Sequence, residues 1–183
     1  MKQLKNIKRK LEWEKYYNPD FDWSDYGFYA NNILGEDFIR EFKDRVDWTL
    51  VSIYQILSEE FIREFQDKVD WDSISYYQKS SESFIREFQN KVDWNNISTI
   101  QTLSEDFIRE FKNKVNWHNI SVNQILSEDF IREFKDNLDW RMISVCQKLS
   151  KDFIREFKDK VDWEYISINN KISKEIKKEL RTL

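Results

Sequence analysis

LSEEFIREFQDKV (residues 57–69) followed by DWDSISYYQK (70–79) is two short amphipathic helices written end to end. Ser58 is placed to cap the first, with Glu59 and Glu60 in the turn where the helix dipole favours acids. Leu57, Phe61, Phe65 and Val69 recur every four residues and Ile62 widens the stripe, so one face is apolar. Glu59 with Arg63, and Glu64 with Lys68, stand i,i+4 in the acid-before-base order and are expected on a solvated face. Asp70 is placed to cap a second helix from Trp71, on which Trp71, Ile74, Ser75 and Gln78 share a side. The pattern predicts helices of about eleven and about eight residues, or about 16 and about 12 Å. Neither is long enough to stand alone.

That block of 23 residues occurs six times without insertion or deletion, as Leu34–Ile56, Leu57–Lys79, Ser80–Thr102, Leu103–Ile125, Leu126–Lys148 and Leu149–Lys171. A strict period with helical patterning predicts an all-α chain, an α-solenoid of stacked two-helix hairpins. Comparison among the copies separates frame from filling. The Phe-Ile-Arg-Glu-Phe string, the Trp and the second-helix serine (Ser52, Ser75, Ser98, Ser121, Ser144, Ser167) are the same in all six. The small serine is expected to allow close helix approach on the buried face and to bond a carbonyl one turn back. Gln55, Gln78, Gln101, Gln124 and Gln147, with Asn170 in the last copy, are expected to bond turn backbone between repeats.

The pattern decays at both ends. Residues 1–33 read as a diverged capping repeat, with Trp13 and Tyr17 in the Phe positions, Phe21 in the Val position and Asp22 as cap. Pro19 is expected to end the preceding helix. Residues 172–183 read as a C-terminal capping helix with Ile176 and Leu180 in the Phe positions. The 183 residues fit one domain, and 16% aromatic content at fixed intervals argues against disorder. Two Gly and one Pro imply short turns made by ordinary residues. No apolar run approaches the ~20 residues of a membrane span, and the Met1-Lys-Gln-Leu-Lys start lacks a signal-peptide core. A soluble intracellular chain is the expectation.

Chemistry is scarce. His118 is the only histidine and Cys146 the only cysteine, so a structural zinc site lacks ligands and no disulfide forms within the chain. The two glycines make no phosphate loop. Identical acids along an array are unlike the environment-split carboxyl pair of acid–base catalysis. No enzyme activity, cofactor or metal is expected. Nucleic acid is disfavoured as a partner by the net charge of −4, and by Arg141 as the lone basic residue among the variable sites.

Variation is concentrated at four sites of each second helix, for example Thr49, Leu50, Ile53 and Tyr54, or Asp72, Ser73, Tyr76 and Tyr77. A fixed frame with a variable stripe is how a repeat scaffold presents a partner-specific surface. The third site is mostly Ile or Val and is expected half-buried. Leu50, Tyr54, Tyr77, Met142 and Tyr165 are the expected contacts for a protein or peptide partner. A structural role bridging other subunits of an assembly is the alternative.

The string LSEDFIREFKDKVDW…IS…Q resembles short tandem repeats in uncharacterised proteins of giant DNA viruses that infect amoebae. The resemblance covers Leu34–Lys171, with departures at Gly35, Ser80 and Lys151. It implies a viral origin, a place in the host cytoplasm or the virion, and a helical repeat without an assigned activity.

Phe61, Phe84, Phe107 and Phe130 are expected to be almost fully buried. Phe107→Ala should therefore cost about 3–5 kcal/mol. Hydrogen exchange should place the damage in the flanking repeats, and uniform loss of protection along the chain would contradict stacking between neighbours.

Overall fold

The computed structural model describes residues 14–180, without the side chains of Glu179 and Leu180. All regular structure among these residues is helical, and the helix pairs recur with the 23-residue period of the sequence. The chain is an all-α helical solenoid. Two compact units divide it after Asp70. The first holds a 3₁₀ turn (Glu14–Tyr17) and helices α1 (Tyr26–Asn31), α2 (Glu36–Glu41), α3 (Trp48–Tyr54) and α4 (Glu59–Glu64). The second alternates helices that open on Trp with helices that open on the repeat's acidic turn. These are α5 (Trp71–Tyr77), α6 (Glu82–Glu87), α7 (Trp94–Ile100), α8 (Glu105–Glu110), α9 (Trp117–Asn123), α10 (Glu128–Glu133), α11 (Trp140–Cys146), α12 (Lys151–Glu156), α13 (Trp163–Ile168) and α14 (Lys174–Leu180). In the second unit each Trp helix packs on the next, α5 on α7 through α11 on α13; in the first, α3 packs on α1.

The caps lie where the sequence puts them. Ser58 Oγ accepts from Phe61 N–H at 3.1 Å, and Ser81, Ser104, Ser127 and Ser150 do the same in their copies. Asp47, Asp93, Asn116, Asp139 and Asp162 cap the Trp helices. Gly35 begins α2 without a side-chain cap.

The first helices are shorter than periodicity predicts, six residues instead of about eleven. Phe65 leaves helical geometry at φ −114°, ψ 28°, and the chain turns back with Lys68 N–H donating to Phe65 O at 2.8 Å. The invariant Trp supplies the reason. Trp48 Nε1 donates to Lys43 O at 2.9 Å, turning that carbonyl out of the helical ladder, and Trp94, Trp117 and Trp140 repeat the bond. The indole then packs on the next repeat's two Phe rings: Trp94 lies 6.2 Å from Phe107 and 4.9 Å from Phe111. Phe61, Phe84, Phe107 and Phe130 are fully buried, as expected.

Backbone polar groups at the hairpin ends are completed by a neighbouring copy. Gln124 Nε2 donates to Gln101 O at 2.8 Å and Ser98 O at 3.2 Å, while its Oε1 accepts from Leu103 N–H at 3.0 Å. Gln55, Gln101 and Gln147 make the same three-way clamp. The serine hydroxyl donates one turn back, Ser98 Oγ to Trp94 O at 2.6 Å, as predicted. It also accepts from the next repeat's cap, with Asn116 N–H at 2.9 Å. That second bond was not expected from sequence.

The end repeats depart from the expectation. Trp13 lies outside the described residues, as does the side chain of Leu180. Asp22 does not cap α1. It closes a turn onto Ser24, and Asp25 accepts from Gly27 N–H at 2.8 Å instead, because two extra residues separate Trp23 from the frame. Tyr17 is exposed, and Tyr16 takes the inward place, within 5.0 Å of both Phe21 and Phe38. Tyr29 stands where the copies carry serine: its hydroxyl donates to Trp23 O at 3.0 Å and accepts from Asp47 N–H at 2.8 Å. Burial pushes this phenol up to about 12, so it stays protonated.

At the other end Asn170 is exposed and Asn169 makes the clamp, donating to Ser144 O and Gln147 O at 2.8 Å each. Asn is one methylene shorter than Gln, and α13 stops a residue early to bring it into reach. Ser167, expected on the buried face, is exposed, and Ile172 is buried ahead of α14.

Gln124→Met keeps the volume but strands two carbonyls and one N–H in the interior. The expected loss is roughly 2–4 kcal/mol by urea unfolding, and Gln124→Asn should be nearly as costly because α9 ends at full length. An Asn variant as stable as the parent would show that the clamp is not under length constraint.

Candidate partner-binding surface

Each Trp helix turns its fixed residues inward and leaves four variable positions on the other side. In the middle of the second unit several of these are polar and bond a cap or backbone group of the neighbouring Trp helix. Asn116 Nδ2 donates to Asn95 Oδ1 at 2.8 Å, Asn119 Nδ2 to Asn95 O at 3.3 Å, and His118 Nδ1 lies 2.8 Å from Asp139 Oδ2. Burial pushes the Asp139 carboxyl up, but His118 and the Met142 and Arg141 N–H groups outweigh it and hold the carboxyl below its ordinary range. Arg141 donates to the Tyr165 hydroxyl and lies 4.5 Å from its ring centre.

Among the five expected contacts, Tyr54 and Tyr77 are exposed, while Leu50, Met142 and Tyr165 are half-buried along their helices. Ile53, Thr99, Val122 and Val145 are half-buried, as their third-site place implies, whereas Tyr76 and Ile168 are exposed. Tyr76 packs on Tyr77 at 4.7 Å, and a ring of that size exceeds a slot elsewhere filled by Val or Thr. Tyr76, Tyr77 and Ile100, exposed by 45%, 55% and 44%, border an open groove of about 220 Å³ with Lys79 and Thr102 at its edge. In the first unit Tyr54 meets Tyr26 edge-on at 5.2 Å, and Ile33 and Ile56 are almost wholly exposed. Sequence reasoning passed over Tyr76 and the linker isoleucines. A linker position holding Ile, Lys or Thr in different copies was the available signal.

The invariant arginines are not simply solvated. Arg109 pairs with Glu133 of the next repeat at 2.8 Å and lies 5.0 Å from the Phe130 ring centre, and Arg86 treats Glu110 and Phe107 alike. The expected intrahelical pairs persist beside these contacts, Arg109 with Glu105 at 3.6 Å and Arg63 with Glu59 at 3.4 Å. Glu133, whose carboxylate accepts from the guanidinium, raises the Arg109 pKa further. Glu64 and Lys68, expected to pair together, go instead to Arg40 and Asp44 of the preceding repeat, at 2.8 and 2.7 Å. The first-helix surface is therefore an inter-repeat ladder, occupied from within.

Among the described residues no group of His, Cys, Asp and Glu is placed to hold a metal ion, and no helix is long and apolar enough to cross a membrane. No protein family, no curated protein and no solved structure matches the chain.

The depressed Asp139 carboxyl makes stability depend on pH in a defined direction. Its contribution is complete above the ordinary carboxylate range, near 4, and is lost as pH falls through the lowered value. Asp139→Asn keeps a capping oxygen, as Asn116 shows, but removes the charge. The stability gap between parent and variant should be present at neutral pH and close on acidification. A gap independent of pH would remove Asp139 from the acid response.

Proposed function

We propose that the chain is a non-enzymatic scaffold that binds a protein or peptide partner through the variable side of its Trp helices. One observation carries the reading: Tyr76, Tyr77 and Ile100 occupy variable positions, stand open to solvent and border a groove. Large apolar side chains clustered on a surface mark contact sites, and aromatic anchors dominate contact energies. Residues repeated in every copy are consumed by stacking, so selection for a partner falls on the rest. The viral kinship implied by the repeat string sets this partner in an infected amoebal cell, as a host protein or another virion subunit.

The test compares two variants of the full chain in affinity purification from infected cells. Replacing Tyr54, Tyr76, Tyr77 and Ile100 with Ser should leave helical content unchanged and abolish recovery of the specific partner. Replacing Lys135 and Lys158, exposed on the turns, with Ser should leave recovery intact. Retained recovery by the first variant, with loss by the second, would move the contact face to the turns and refute the reading.

A further inference from the structure

The turn between the two helices of a repeat carries a cation site that the next repeat fills. In the first unit Arg45 lies 5.2 Å from the Trp23 ring centre and Lys68 lies 5.9 Å from that of Trp48. In the second, Lys91, Lys114 and Lys160 lie 5.7, 5.8 and 5.7 Å from Trp71, Trp94 and Trp140. The ammonium is held by oxygens as well as by the ring. Lys114 Nζ donates to Gln89 O at 3.3 Å, Gln89 Oε1 at 3.0 Å and Asn90 Oδ1 at 3.1 Å; Lys68 Nζ donates to Lys43 O at 3.2 Å and Asp44 Oδ1 at 2.7 Å. An indole face beneath and a carbonyl and side-chain oxygen beside it form a repeated receptor for a primary ammonium.

Among the copies that are followed by another full copy, Trp117 is the exception. Position 137 in the following repeat is Asn, and among the described residues no cation lies over the Trp117 ring. Of the rest of the receptor, the indole face, the turn carbonyl and one amide side chain remain, while Lys112 stands in the place of Gln89 and supplies no side-chain oxygen. Trp117 keeps its packing on Phe134 at 4.9 Å and its bond from Nε1 to Lys112 O at 3.0 Å. Asn113 holds the place that Asn90 holds beneath Lys114. Asn137 is exposed, carries no charge and does not close the site.

We propose that the Trp117 turn binds a lysine side chain of a partner protein. Its ammonium lies over the indole and donates to Lys112 O and to the Asn113 amide oxygen, as Lys114 does to the matching groups one repeat earlier. The four filled lysine sites define the ligand chemistry. This contact is separate from the variable side of the Trp helices and holds whether or not that side binds.

The test uses the isotopically labelled full chain, whose eight tryptophans each give an indole N–H signal. N-acetyl-lysine methylamide is titrated in at constant ionic strength, against the uncharged norleucine analogue. The Trp117 signal should shift saturably with the lysine compound and not with norleucine, while Trp94 and Trp140, already covered, move little. Asn137→Lys restores the residue of the sister repeats, and it should abolish the Trp117 response. An equal response from Trp94 or Trp140, an equal effect of norleucine, no response at Trp117, or an undiminished response in Asn137→Lys would each overturn the assignment.

Discussion

A hairpin made of a six-residue and a seven-residue helix leaves more backbone donors and acceptors open at its ends than it closes inside. Buried, those groups must be paired. The chain meets the requirement largely with side chains from the adjacent copy: the glutamine amide takes two carbonyls of the preceding repeat and the N–H that opens its own, and the serine hydroxyl takes the N–H of the following cap. A repeat without its neighbour would bury these groups unpaired or expose the Phe core. Folding and stacking are thus one event, and helix propensity has little to do with it.

The same constraint explains the fixed period. Glu82 Oε1 receives Ser104 N–H at 2.6 Å, Arg86 crosses to Glu110, and Ser75 Oγ receives Asp93 N–H at 2.9 Å. Each bond joins positions a set number of residues apart, so one inserted residue would break several at once. Where the period does slip, around Trp23, the consequences are visible. Asn18 O, five residues before Trp23, is taken by Arg45 at 2.7 Å, and Trp23 Nε1 is left buried without a partner. A cluster of aromatic rings around Tyr16 compensates by packing.

Helix number, the caps and the core stripe were legible because each depends on residues close in sequence, such as Ser58 with Phe61 or Asp93 with Asn96. What was not legible depends on a neighbour in space. The early end of the first helix comes from an indole reaching back five residues. The pairing of Arg109 with Glu133, 24 residues away, is invisible to a rule that looks only four residues along the helix. Asn169 rather than Asn170 became the last clamp because asparagine is one methylene shorter than the glutamine of the other copies, and an earlier helix end brings residue 169 to the same carbonyls. On the surface, Tyr54 and Tyr77 were legible as variable aromatics, whereas Tyr76 was hidden by an average over copies in which its position is usually aliphatic.

Scaffold and surface are separated by chemistry as well as by position. The stacking contacts use one indole face, one guanidinium, one amide and one hydroxyl per repeat, and all are spent on neighbouring copies. Substitution on the outer side of a Trp helix removes none of them, so the array tolerates Asp72, Asn95, His118 and Arg141 at equivalent places without change in the helix. Such side chains can also bond the cap of the next Trp helix, as His118 does with Asp139, so a polar outer side adds local support. An apolar one gains nothing comparable from the frame: Tyr77 and Ile100 remain about half exposed, and the free energy of covering them is available only to a partner.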